Sequence, residues 1–372
     1  MPLADELLGS REVAELAAVL DRTGRRAAAE AVRGVAPGIG ALALRERSDA
    51  LTLALLASLP AGHAGMRESA RAALRDPAFT GWMVWPVTEA VVTRALEEET
   101  PAAFDEALTL LMELTPVFTG EFAIRRLLRA DLDRALAIVT GWTDHPDEHV
   151  RRLASEGTRP RLPWAVRVPE ILARPLATRA LLDALHHDPS EYVRRSVANH
   201  VNDISHADPA LAVEIAAGWD ALSPSGEHTA RTVRHALRTA VKRGHPGALT
   251  LLGFTPDVQV TVTGPRLTSL EVPVGSHLDF AFEVANTGQS AARLVIDYVV
   301  HYRKATGRTN PKVFKLTACS LPPGERLTFT RRHPLKPLST RPLHPGPHSL
   351  TLQINGTPHN PTPFTLTPPP HQ

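Results

Sequence analysis

At 372 residues the chain exceeds one ordinary hydrophobic core, so two domains are expected. Its 43% hydrophobic and 22% charged residues are those of a soluble globular protein, and no run approaches the ~18 apolar residues of a membrane span. The net charge of +2 hides a gradient, from 11 Lys/Arg against 17 Asp/Glu in residues 1–120, through 18 against 16 in 121–254, to 12 against 6 in 255–372. An acidic head with a basic middle and tail suits a polyanion held by part of the chain, although differences this small also serve solubility.

The first residues, MPLADELLGSREVAELAAVL, read as an amphipathic helix rather than a signal peptide, and cytoplasm is the expected location. Residues 1–100 predict three to five helices, with breaks near VAPGIG and LPAGHAG. Trp82 and Trp85 precede another helix and are expected in the core. Helical spacing continues to residue 254, through FDEALTLLMELTPV, GEFAIRRLLRADLDRALAIVTGW and ALAVEIAAGWDAL.

The middle of this stretch repeats itself. Pro146, Glu148, Val150, Arg151 and Arg152 recur 43 residues later as Pro189, Glu191, Val193, Arg194 and Arg195. A fainter third copy, TVRHALRTAVKRG, carries Val233, Arg234, Arg238 and Lys242. Helix pairs repeating every ~40–47 residues are the mark of HEAT-like repeats, so the fold class predicted for residues 1–254 is an α-solenoid. In the second copy Asp188, Pro189 and Glu191 predict a capping-box helix start. Val193, Val197 and Val201 predict its buried stripe, with the arginine pair pointing away from it.

After Thr255 the pattern alternates, in VQVTVTG, HLDFAFEVANTG, RLVIDYVVHYRK, PKVFKLTACSLPPGERLTFTRRHPL and HSLTLQING. About seven short strands with turn residues between them predict an all-β, immunoglobulin-like sandwich over residues 255–372. The terminal TPHNPTPFTLTPPPHQ is expected to add one edge strand. Cys319 is the only cysteine, which excludes an inter-sheet disulfide and a cysteine-cluster zinc site.

Local rules break at LASEGTRPRLPWAV. Gly157 is expected to end the helix, and Pro160 and Pro163 to prevent its resumption. Glu156 then lies at a helix C-terminus, where a carboxylate is disfavoured, and Asp203 falls at the equivalent end in the second copy. Two carboxylates so placed beside cations are either a functional site or ordinary ion pairs to Arg152 and Arg195. Trp164 is a plug over the repeat junction or a stacking platform. Glu121, after Gly120, suits the first turn of a helix. Arg125, Arg159 and Arg161 add cations, and arginine forks match phosphate oxygens. Lys304, Arg308 and Lys312 form a basic hairpin loop, either solvated or clamping a nucleic-acid backbone. No phosphate-loop, dinucleotide, zinc-protease or serine-hydrolase motif occurs, and neither a metal nor a cofactor is expected. The histidine clusters, His186–His187 and the set within 333–348, are expected at the surface or in loops.

The strings EFAIR, HPDEHVRRLASEG, RPRLPWA, DPSEYVRRSVANHVND, VRHALRTAVKRG and TLLGF together resemble the AlkC group of DNA alkylation-repair glycosylases, and PKVFKL resembles the immunoglobulin-like domain that some members carry. Arg126 and Thr158 depart from the group's pattern, where proline and cysteine are expected. The resemblance implies excision of cationic methylated bases, typically 3-methyladenine, from double-stranded DNA without flipping the base into a deep pocket. It implies that Glu121, Glu156, Trp164 and Asp203 line the lesion site, with Asp203 orienting water. Arg125, Arg151, Arg152, Arg159, Arg161, Arg194, Arg195, Arg234, Arg238, Lys242, Lys304, Arg308 and Lys312 would hold the DNA. A monomer near the nucleoid is expected. The competing readings are a non-catalytic DNA-binding solenoid and a protein scaffold.

Overall fold

The computed structural model describes residues 4–222, 226–255, 257–337 and 342–369. Helices α1 (Ala4–Leu7), α2 (Ser10–Arg22), α3 (Arg26–Val35), α4 (Leu44–Ser58), α5 (Gly62–Leu74) and α6 (Val84–Glu98) fill the first hundred residues. This is more than the three to five expected. Gly9, at the cap of α2, and Gly24, with a φ of 77°, add breaks that the apolar pattern runs across. Trp85 is buried and Trp82 packs edge-on against it.

The helices continue as α7 (Pro101–Leu114), α8 (Ile124–Ala130), α9 (Leu132–Thr140), α10 (Glu148–Glu156), α11 (Pro169–Ala173) and α12 (Arg179–Leu185). Then follow α13 (Glu191–Ile204), α14 (Pro209–Leu222), α15 (Glu227–Ala236), α16 (Arg238–Lys242) and α17 (Pro246–Leu251). The two near-copies become α10 and α13, and α13 packs against both α10 and α15. Val193, Val197 and Val201 are fully buried, as the four-residue spacing predicts. Each such valine contributes roughly 1.5–3 kcal/mol relative to exposure. No helix among the described residues is long and apolar enough to cross a membrane.

The strands are β1 (Val260–Leu267), β2 (Glu271–Pro273), β3 (His277–Asn286), β4 (Ala292–Arg303), β5 (Thr309–Leu321), β6 (Arg326–Pro334), β7 (Gly346–Ile354) and β8 (Thr357–Thr367). They form a sandwich of a three-stranded sheet, β1-β3-β6, and a five-stranded sheet, β2-β8-β7-β4-β5. Inward residues of both sheets, among them Phe280, Phe282, Tyr298, Leu350 and Leu352, make one core. The last strand is not at the edge as expected, because β2 pairs beside it, parallel, at Thr365–Thr367. That pairing leaves Pro358, Pro361 and Pro363 clear of β2, so their missing N–H groups cost no bond on that side.

Three histidines expected at the surface or in loops are buried. His333 lies in the sandwich core, its two ring nitrogens 2.9 and 2.7 Å from the hydroxyls of Tyr298 and Tyr302. The ring of His348 bonds to the backbone, 3.2 Å from the Arg303 N–H and 2.9 Å from the His344 carbonyl. His186 stacks on Trp219. A paired imidazole is tolerated in a core, and periodicity does not reveal the partner.

Secondary structure changes class between Leu251 and Val260. Compactness divides the chain elsewhere, into one unit of residues 1–204 with 219–236 and another of 205–218 with 237–372. In the second unit α16 joins the five-stranded sheet, where the Gln353 side chain donates to the Lys242 carbonyl at 2.5 Å. Gly244 and Gly356 approach so closely there that a Cβ on Gly356 would lie 1.9 Å from the Gly244 Cα.

Candidate active site

The site is built where α10 and α13 end. Asp147 caps α10 by accepting the His149 N–H at 2.7 Å. The helix stops after Glu156, but Gly157 is not left-handed; its φ is −62°. Glycine is required by contact instead, since a Cβ there would lie 2.8 Å from Ile124 Cγ2 and 3.0 Å from the Leu153 carbonyl oxygen. At the start of α13 the expected capping box is absent. The helix begins at Glu191, and Asp188 accepts the Ser190 N–H at 2.8 Å while receiving Arg151 on both oxygens.

Five side chains then form an alternating chain, Glu121–Arg152–Glu156–Arg159–Asp203. Glu121 follows Gly120 in a turn, and α8 starts three residues later than expected. Arg152 lies 2.5 Å from Glu121 Oε2 and 3.4 Å from Glu156 Oε1. Arg159 donates to Glu156 Oε1 at 2.7 Å and to Asp203 at 2.9 and 3.3 Å. The Arg161 N–H adds a bond to Asp203 Oδ2 at 3.2 Å. Glu156 and Asp203 are each only 6% exposed, so their charges depend on these partners. Asp203 pairs with Arg159; Arg195, the partner considered for it, is exposed.

Burial works against the charge of Arg152, but Glu121 and Glu156 outweigh it and raise its pKa. Arg159 is likewise raised, burial being overcome by its bonds to Asp203 and Glu156. Tyr192 lies under the Arg152 guanidinium, 5.2 Å from ring centroid to Cζ, and burial pushes its hydroxyl pKa up. Within the chain three carboxylates alternate with two guanidiniums, and the buried Arg125 is a third cation close enough to interact with Asp203.

Trp164 is 54% exposed on the irregular segment between Gly157 and Val168, with a φ of 61°. A bulky residue in the left-handed region is strained and persists only where its surroundings impose it.

The structure sorts the predicted phosphate contacts. Arg161, Arg195, Arg234, Lys242, Lys304, Arg308 and Lys312 are exposed, and Arg238 is half-buried. Arg125, Arg159 and Arg194, expected on phosphates, are buried, with donors engaged within the protein. Arg125 gives Nε and Nη1 to backbone carbonyls, its buried Nη2 having no hydrogen-bond partner, and Arg159 gives its donors to the carboxylates. Arg194 donates to the carbonyls of Asp188 and Pro189 at 2.5 and 2.8 Å. Arg151 and Arg152 are partly buried and occupied by Asp188 and Glu121. Arg195 lines a cleft of about 150 Å³ with Arg231, Thr232 and His235.

Sequence reasoning missed Ser196, whose Oγ donates to Glu156 Oε2 at 2.6 Å. A signal existed: Ser196 occupies the repeat position held by Leu153 in the first copy. It also missed His200, fully buried between the Ser155 carbonyl and Thr178 Oγ1, each 3.1 Å away. Among the described residues no group of three His, Cys, Asp or Glu side chains is arranged to hold a metal ion.

Residues 261–368 match the family model described as the C-terminal Ig-like domain of YhaZ. The chain is 34% identical over 317 residues, 85% of each chain, to the uncharacterized protein YhaZ of Bacillus subtilis (strain 168). It superposes with a TM-score of 0.88 and 31% identity on a solved structure of the Pseudomonas fluorescens alkylpurine DNA glycosylase AlkC bound to DNA containing an abasic site analog. That match covers 98% of this chain and 100% of the other.

Proposed function

The chain belongs to the AlkC group of DNA alkylation-repair glycosylases, and from that premise we propose that it hydrolyses the N-glycosidic bond of cationic N-methylated bases in duplex DNA, 3-methyladenine first among them. The observation that carries this reading is the alternating chain from Glu121 to Asp203, with an exposed tryptophan on the same irregular segment as Arg159 and Arg161, which hold Asp203. A base methylated on a ring nitrogen is already a cation and a good leaving group, so no strong general acid is needed. As its bond breaks, positive charge develops on the deoxyribose, as in sugar hydrolysis. Carboxylates pre-positioned there stabilise that charge without reorganising.

Asp203 is assigned to orient the attacking water, with Glu156 and Glu121 supporting it. Three donor contacts from Arg159 and Arg161 hold the Asp203 carboxylate, against roughly four lone-pair sites on its two oxygens. Trp164 lies against the deoxyribose or the lesion face. The helical residues 1–254, read as HEAT-like repeats, carry catalysis and grip bent DNA at their surface, without a deep base pocket. Residues 255–372 serve as a second clamp through Lys304, Arg308 and Lys312. The enzyme acts as a cytoplasmic monomer. The AlkC relative was solved on an abasic site analog, the kind of product that base removal leaves, which supports the same reaction here.

The test is incubation of methylated duplex DNA with the purified protein, with released bases separated by chromatography. Release of 3-methyladenine is expected, falling on the order of 100–1000-fold in Asp203→Asn while DNA affinity stays nearly constant. Salt-sensitive binding with no base release from wild-type protein would favour a non-catalytic DNA-binding solenoid. Absence of DNA binding would favour a scaffold.

A further inference from the structure

We propose that Arg125 is a positioning residue for this site, stapling both ends of the segment that carries Arg159, Arg161 and Trp164. The inference rests on the glycosylase reading above for its effect on rate, and on geometry alone for its effect on the segment.

The Arg125 side chain leaves the first turn of α8 and is completely buried. Its Nε donates to the Val166 carbonyl at 2.6 Å, and Nη1 to the carbonyls of Gly157 and Arg159 at 3.0 and 2.7 Å. The three acceptors bracket residues 157–166. Inside that bracket lie the guanidinium that holds Glu156 and Asp203, the Arg161 N–H that caps Asp203, and the strained Trp164. One rigid fork therefore sets the carboxylate-orienting cation and the exposed ring relative to each other. A lysine ammonium lacks the planar spread to reach three carbonyls from one stem. Burial, with the like charges of Arg167 and Arg159, lowers the Arg125 pKa to about 10, so it remains charged at neutral pH. No acidic side chain hydrogen-bonds to this cation among the described residues; three backbone carbonyls hold Nε and Nη1, the charge of Asp203 helps, and Nη2 is buried without a hydrogen-bond partner. That arrangement fits a staple rather than a phosphate contact.

The test uses full-length protein labelled with 5-fluorotryptophan, the Trp164 fluorine signal being assigned by Trp164→Phe. In Arg125→Lys the Trp164 signal is expected to move while the signals of the other four tryptophans stay in place. Single-turnover excision is expected to fall on the order of 100-fold, with DNA affinity changed by less than about 3-fold. Methylguanidinium added to Arg125→Ala should restore the Trp164 signal and the rate together. An unchanged signal and rate in Arg125→Lys would overturn the proposal. So would loss of all five signals together without recovery by methylguanidinium, which would make Arg125 a general fold contact. If the wild-type protein releases no base, the glycosylase reading fails, and the Trp164 signal still decides the role of Arg125.

Discussion

Arg159 grips Asp203 with two nitrogens, Nε on Oδ2 at 2.9 Å and Nη2 on Oδ1 at 3.3 Å, while its third nitrogen holds Glu156 at 2.7 Å. One guanidinium thus joins the carboxylates that end two successive repeat helices. Removing it would leave two buried charges without their main partner. Arg159→Met is expected to cost roughly 3–5 kcal/mol, by the usual penalty for breaking a buried pair. Urea unfolding followed by circular dichroism measures it, and a loss below ~1 kcal/mol would mean that water solvates the site well.

Adjacent arginines in α13 should behave differently. Arg195 is exposed and Arg194 is buried against two carbonyls. Arg195→Ala should lower the slope of log affinity against log salt by about 0.9, as loss of one phosphate contact does. Arg194→Ala should leave that slope alone and cost about 1–3 kcal/mol of stability, because buried acceptors lose their donor. DNA titrations at several salt concentrations separate the two.

His200 should make the protein acid-sensitive. Burial, aided by Arg159 and Arg125 and opposed by the Ser155 carbonyl bond, pushes its pKa down to about 3. An unfolded histidine titrates near ~6.5, so below that pH the unfolded chain takes up a proton that the folded one refuses. Stability is full above pH ~6.5 and declines as pH falls toward 3, by up to about 4 kcal/mol. His200→Gln should flatten this acid-side slope in urea midpoints. An unchanged slope would mean that the folded state accommodates the proton.

Asp297 should act in the opposite sense. It is buried in β4 with Oδ1 lacking a hydrogen-bond partner, and burial, offset in part by Lys242 and Lys315, raises its pKa to about 6. The unfolded carboxyl releases its proton near pH ~4, so stability is lost as pH rises from ~4 to 6. Asp297→Asn is expected to add about 2 kcal/mol near pH ~8 and almost nothing near pH ~4. Thermal or urea denaturation of the variant at both pH values checks this, and equal gains at both would exclude titration as the cause.

Apolar spacing sufficed for the helical class of the first 254 residues though not for every helix break, for the valine stripe of α13 and for the alternating strands, because burial of one face is a periodic demand that each element carries in its own residues. The 43-residue offset likewise exposed the pairing of α10 with α13, while the helix-stop residues placed Glu156 and Asp203 near the ends of those helices, the offset itself matching Glu156 to Asn199. What separates the copies is less visible until they are aligned: Ser196 for Leu153 puts a donor where the repeat expects a methyl group.

Which charge meets which was decided only by the tertiary structure. Arg125 and Arg195 look alike in a string, yet one is sealed under carbonyls and the other faces solvent. Asp203 finds Arg159, 44 residues away, rather than the nearer Arg195. An arginine side chain is long and flexible, and its partner depends on which helix end lies within its reach after packing. The sequence by itself determined the order of elements, their buried faces and the residues available for chemistry. The fold alone determined the alternating chain of charge, because ion pairing in a desolvated site is a relation between distant segments that no local pattern encodes.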